Sequence, residues 1–197
     1  MIEVELKSVV DDVARRRALV EQAGGTLAFE GQLEDRRYDT ITRTLSAQDH
    51  VLRVRIYRAG ESTKAELDWK GPTRLENGYK LREEIGSEVS DANALVAMLE
   101  RLGYEVTVAI ERDIAQYTLF GATVRFERYP RLDDLVEVEG EPAQIERAIA
   151  ALALPREGFT AERLPDFVRR YEARTGQRAA LSQAELAGDV RWDVRNA

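Results

Sequence analysis

The chain predicts an α+β fold: a closed antiparallel barrel of eight strands with helices packed on its outside. Three observations lead there. Apolar and charged residues alternate along nearly every strand-like stretch, the period of two that gives a strand one oily and one charged face. The charged faces carry both signs in near balance, eight acids against seven bases over six segments. The remaining periodic stretches are few and amphipathic, each with an apolar stripe to lay against a sheet.

The alternation is concrete. Glu3, Glu5 and Lys7 oppose Ile2, Val4 and Leu6, and Arg53 and Arg55 oppose Leu52, Val54 and Ile56. Glu66, Asp68 and Lys70 oppose Leu67 and Trp69; Glu137 and Glu139 oppose Val136 and Val138. Lys80, Arg82 and Glu84 repeat the pattern, as do Arg125 and Glu127. One face of an antiparallel sheet commonly meets water, so an open, half-wet sheet fits this pattern too. Two features favour an inward lining. Arginine supplies four of the seven bases, and its fork suits oxyanions. The acids come as same-face pairs two residues apart, which repel unless a cation sits between them.

In order along the chain, a strand over 2–8 leads into a helix from Asp11 or Asp12 to Gln22, capped by the acids and stopped by Gly24-Gly25. Residues 26–38 read as a long, irregular strand, with a loop over 39–49. Strands over 50–58 and 63–70 form a hairpin about Ala59-Gly60-Glu61. Gly71-Pro72 breaks the chain before a strand over 79–88. Ser90-Asp91 caps a helix over 91–102 that carries Leu95, Met98, Leu99 and Leu102 on one face. Strands over 104–119, 122–128 and 134–140 follow. Pro142 opens a helix over 142–152, at a position where proline is tolerated. Another, 161–174, carries Leu164, Phe167, Val168 and Tyr171 at helical spacing. The domain is placed at 1–175, with 176–197 a polar tail that is either helical or loose.

At 197 residues the chain fits one domain with a substantial core. With no cysteine it has no disulfide framework, thiolate zinc site or cysteine nucleophile, which fits a reducing cytoplasm. A net charge of -7 argues against nucleic acid as a partner, and no apolar run approaches a membrane span. His50, the single histidine, is expected at the surface before a strand.

Glu3-Val4-Glu5-Leu6-Lys7 resembles the ExExK signature of the CYTH superfamily, the triphosphate tunnel metalloenzymes. Gln32, Glu34-Asp35 and Tyr38-Asp39-Thr40 are similar to its ED-x-YYDT stretch, Leu52-Arg53-Val54-Arg55 to its LRxR strand, and Trp69-Lys70-Gly71-Pro72 to its Lys-Gly-Pro element. Arg82-Glu83-Glu84 and Glu137-Val138-Glu139 resemble the later R-x-E and E-x-E strands. The match runs in order over residues 1–175 and is nearest to the CyaB-like branch of class IV adenylate cyclases, beside the thiamine triphosphatases.

This resemblance implies a triphosphate tunnel with Mg²⁺ or Mn²⁺ as cofactor. Glu3, Glu5, Glu127, Glu137 and Glu139 would hold the metal, with Glu84 a further tunnel acid. Lys7, Arg53, Arg55, Lys70, Arg82, Arg112 and Arg125 would hold phosphate, Lys7 and Arg55 acting catalytically. The chemistry agrees, since Mg²⁺ takes hard oxygen ligands and two acids on one strand face stand only about 6.6–7 Å apart. Four departures bear on substrate choice. The basic cluster expected at Ile110-Glu111-Arg112-Asp113-Ile114 keeps only Arg112, and the following aspartate is Glu127. The second acid after the R-x-E strand is Gly86, and the double tyrosine is Arg37-Tyr38.

The leading function is hydrolysis of an inorganic or organic triphosphate, a small-molecule substrate. Alternatives are cyclisation of ATP to cyclic AMP and a triphosphate-binding module without turnover. A homodimer is compatible with the sequence.

Overall fold

The computed structural model describes residues 2–192. Strand β1 (Ile2–Val9) is followed by helix α1 (Val13–Gln22), where the Asp12 side chain accepts from the Arg15 amide and so caps the first turn. Past the helix the chain doubles back closely: a Cβ on Gly25 would come within 2.5 Å of the Val20 side chain, so only glycine passes there. Strand β2 (Thr26–Thr40) outruns its expected end, and the loop after it holds a short helix, α2 (Thr44–Ala47). Strands β3 (Val51–Ala59) and β4 (Ser62–Lys70) form the expected hairpin, with Gly60 at φ +56° in the turn.

A three-residue strand, β5 (Arg74–Glu76), precedes β6 (Tyr79–Val89); it is too short to leave a periodic trace. Helix α3 (Ala92–Arg101) is capped by Asp91. Strands β7 (Tyr104–Leu119), β8 (Ala122–Arg128) and β9 (Leu135–Glu139) form a meander, followed by α4 (Pro142–Leu152), α5 (Leu164–Thr175) and α6 (Gln183–Ala187).

Pairing runs β1-β9-β8-β7-β2-β3-β4-β6, and β6 returns to β1 through Ile2↔Glu83 to Glu5↔Lys80. Eight antiparallel strands therefore close into a barrel, with β5 an appendage on β6. Closure removes the sheet edges that an open sheet would expose.

The apolar core lies largely outside this barrel, between wall and helices. Leu6, Tyr117, Val124, Phe126, Val136 and Val138 pack against Val20 of α1 and Ile145, Ile149 and Leu152 of α4. Val108 and Leu135 meet Leu164, Phe167 and Val168 of α5, while Val54 and Ile56 meet Leu99 of α3. With the oily faces spent on the helices, the other face of every strand points inward.

Residues beyond α5 also pack on the barrel. Ala180 bridges to Arg131, Leu181 is buried, and the Leu181 carbonyl accepts from the Glu111 amide. Residues 193–197 of the expected tail lie outside the described residues. No helix among the described residues is long and apolar enough to cross a membrane.

A charged tunnel as the candidate functional site

The inward faces enclose a cavity of about 110 Å³. Lys7, Arg37, Arg53, Arg55, Lys70, Lys80, Arg82, Arg112 and Arg125 line it, together with Glu5, Asp35, Glu127 and Glu137. The cavity reading holds and the open half-wet sheet does not: Arg53, Arg112, Arg125, Glu127 and Glu137 are all buried.

Burying charge costs several kcal/mol per ion unless partners compensate it. Here the partners form a chain around the wall. Lys7 lies 2.5 Å from Glu137, which also meets Arg125. Glu127, 1% exposed, accepts from Arg112 at 3.0 Å, Arg125 at 3.1 Å and the Tyr129 hydroxyl at 2.7 Å. Arg112 continues to Asp35 at 2.8 Å, and Asp35 to Arg55 at 3.1 Å. Arg53 joins Asp68 at 3.0 Å and Glu84 at 3.1 Å. Lys70 pairs with Glu3 and, at 3.2 Å, with Glu84; Lys80 pairs with Glu5.

The compensation is uneven along the wall. Burial alone would raise Asp35, Glu127 and Glu137, yet the arginines beside them, with Lys7, hold all three below the usual carboxylate range. Elsewhere cations predominate. Burial, then the neighbouring Arg53, brings Arg37 down to about 9, with Arg82 and Arg112 adding to the effect. Lys70 is likewise lowered, by burial and then Arg53, and Arg82 chiefly by burial. Glu139 is the converse: burial, then Glu3 and Glu137, raise it to about 7.

The acids on β1 and β9 are the candidate holders of a divalent ion. Glu5 stands directly opposite Glu139, and Lys7 opposite Glu137, in the β1–β9 ladder. Like charges opposite one another destabilise a sheet. A hard cation among Glu3, Glu5, Glu137 and Glu139 would relieve that, so the donor chemistry fits. Among the described residues no three acids or histidines converge closely enough to enclose an ion, because Glu3 and Glu5 are turned onto Lys70 and Lys80.

The cavity lining takes in all seven sequence-expected phosphate-binding bases, and Glu5, Glu127 and Glu137 of the acids. Glu3 and Glu84 border it through Lys70; Glu139 adjoins through its repulsion by Glu3, Glu137 and Glu5. Arg82 reaches the cavity, but its guanidinium donates to the backbone carbonyls of Gly71 and Asp49, each at 2.7 Å. His50 was expected at the surface and is instead half-buried, lining the cavity edge-on to Trp69 at 5.1 Å. In the 110–114 segment only alternate residues face in. Arg112 reaches the tunnel, whereas the Glu111 side chain accepts from the Gln183 amide and Asp113 is exposed.

Sequence reasoning missed Asp35 and Arg37 as tunnel residues, though the motif containing them was visible. It also left Asp68 and Lys80 without a role, although both sit on faces it had marked as charged. Arg163 had no signal at all. From the start of α5 it donates to both oxygens of Asp49 and to the Thr73 hydroxyl, each at 2.8 Å, and it lines one end of the cavity.

A CYTH domain model matches residues 1–156. The chain belongs to the CYTH domain family. Its barrel resembles that of a candidate adenylate cyclase from Vibrio parahaemolyticus, with TM-score 0.72 and 22% identity over 86% of this chain and 98% of that one. The PH1819 protein of Pyrococcus horikoshii OT3 superposes with TM-score 0.69 at 23% identity, covering 85% of this chain and 98% of that one. A candidate adenylyl cyclase from Hippeastrum, described as having a dominant triphosphatase activity, gives TM-score 0.59 at 16% identity over 91% and 99%. At these identities the likeness is one of fold. No curated protein matches the chain.

Proposed function

We propose that this CYTH protein binds the phosphate chain of a triphosphate along its tunnel, together with a divalent cation, and hydrolyses it. One observation carries the reading: ten basic side chains line a single small cavity in a protein whose net charge is -7. An interior that collects cations against the sign of the whole molecule is suited to a compact polyanion.

Arg53, Arg55, Arg112 and Arg125 present guanidinium forks to phosphate oxygens, and Lys7 and Lys70 act as point charges. Such groups, fixed before the reaction in a water-poor site, stabilise charge that develops on the transferred phosphoryl group. The chain residues best placed for Mg²⁺ or Mn²⁺ are Glu3, Glu5, Glu137 and Glu139, with Glu127 committed to Arg112 and Arg125. A bound divalent ion supplies neutralisation of phosphate charge and acidification of water. Binding it requires Lys70 and Lys80 to turn from Glu3 and Glu5 towards the phosphates, a rearrangement their flexible stems allow.

The experiment is a product panel with tripolyphosphate, thiamine triphosphate and ATP, each with Mg²⁺ or Mn²⁺. Release of orthophosphate is expected. Cyclic AMP with pyrophosphate would make the protein a cyclase, and binding without product a triphosphate-binding module.

A further inference from the structure

We propose that Asp68 is the positioning residue that aims Arg53 and Arg55 at the phosphate chain, and that Gly86 is the gap which lets it do so. This rests on the triphosphate reading above.

Asp68 is buried in the tunnel wall, and the β4–β6 register sets it directly opposite Gly86. One of its oxygens, Oδ2, accepts from Arg53 Nε at 3.0 Å and lies 3.4 Å from Arg55 Nε. One carboxylate oxygen thus accepts from Arg53 and lies in ion-pair range of Arg55, whose Nε–H is donated to Asp35 Oδ1 at 3.1 Å. Holding Nε fixes the plane of a guanidinium while leaving terminal amines for another anion. Glu84 takes one of those on Arg53, and the Tyr57 hydroxyl faces one on Arg55 at 3.4 Å. Nη1 of Arg53 and Nη2 of Arg55 make no hydrogen bond to protein among the described residues.

Gly86 explains why the carboxylate can stand there. A Cβ at this position would lie 2.6 Å from Asp68 Oδ1, closer than real contacts allow. Gly86 is not among the glycines with positive φ, so a side chain would violate space and not backbone conformation. Position 86 on β6 carries no side chain, and the facing acid on β4 occupies the space one would take. The two positions work as a pair, in which a side chain at one displaces the other.

A bland alternative has Asp68 merely balancing charge. The two roles differ in sign. An acid that only balances charge opposes an incoming polyanion, so neutralising it tightens binding. An acid that positions two arginines helps the polyanion indirectly, so neutralising it weakens binding and turnover although a repulsive charge is gone.

The test uses the full chain as wild type, Asp68→Asn, Gly86→Ala and the exchange Asp68→Gly with Gly86→Asp. Tripolyphosphate with Mg²⁺ is followed by calorimetry and phosphate release, and the arginine Nε–H signals by NMR without ligand. Asp68→Asn should lower kcat/KM at least tenfold without tightening binding, and Gly86→Ala should move in the same direction. The exchange, which returns an acid from the facing strand, should recover most of the loss. In Asp68→Asn the Nε–H proton of Arg53 should exchange faster with solvent. Tighter binding with unimpaired turnover in Asp68→Asn would overturn the proposal. Should the wild type turn over no triphosphate, the functional reading fails, and the ligand-free Nε–H signals still decide this one: unchanged exchange in Asp68→Asn overturns it.

Discussion

Arg37 and Arg53 stand directly opposite one another on β2 and β3, two guanidinium groups at one level of the tunnel wall. Burial, then Arg53, lowers Arg37 to about 9, with Asp35 opposing the shift. Two guanidinium groups at one level suit an anion of high charge density.

Arg37→Gln should weaken the grip on tripolyphosphate at least tenfold, since it removes one of the bases that line the cavity. Calorimetric titration with tripolyphosphate checks this. Unchanged affinity would place Arg37 outside the contact.

Arg55→Ala removes a base that burial would depress but that Asp35, first among its neighbours, holds above the usual arginine range. An exposed ion pair is worth at most about 1 kcal/mol. Truncating a desolvated charge contact costs about 2–5 kcal/mol. Calorimetric loss of tripolyphosphate affinity should fall in the second range. A loss within the first would place Arg55 outside the contact.

The barrel and most of its lining were legible because a strand's period is rigid. Once Leu6, Val54 or Val138 is assigned to the oily side, the facing of Lys7, Arg53, Arg55 and Glu137 follows. Strand β2 resists that logic. Glu34 and Arg36 point away from the tunnel and pair with each other at 2.5 Å, so both faces are charged and parity carries no sign. Register shifts between Leu27 and Phe29, and again between Arg37 and Tyr38, blur it further. Strand β7 gives Arg112 no parity signal either, between Glu111 and Asp113, and only the family resemblance pointed to it. The Asp49–Arg163 pair joins residues 114 positions apart through a helix start and a loop, which no local pattern encodes.

Glu139 sets a pH dependence for the ligand-free protein. Its carboxyl titrates near 7 when folded, against about 4.5 as the ordinary value, so between those pH values the folded state binds the extra proton. Its contribution to stability is present in full below the unfolded value and is lost as pH rises through 7. Denaturation of wild type and Glu139→Gln from pH 4.5 to 8 should show the wild type losing stability relative to the variant across that window. Mg²⁺ should reduce the difference. Parallel curves would contradict this.

Glu5→Gln should lower hydrolysis and raise the Mg²⁺ concentration needed for half-maximal rate, since it removes a hard anionic donor without changing shape. Its effect on ligand-free stability should stay small, because relief of Glu5–Glu139 repulsion opposes loss of the Lys80 partner. A metal titration of activity decides it. Unchanged rate and unchanged metal requirement would remove Glu5 from the metal site.

If the tunnel reads a phosphate chain, tripolyphosphate should compete with ATP for it. Most side chains that line the cavity are charged, and the Trp69 ring packs against His50. Discrimination in favour of a base needs buried hydrogen-bonding groups dedicated to it. With Mg²⁺ present, calorimetry should show tripolyphosphate binding one site per chain at least as tightly as ATP and displacing it. ATP binding tenfold tighter, a gap of about 1.4 kcal/mol, would require a nucleoside pocket, and no binding of tripolyphosphate at all would exclude a phosphate-reading tunnel.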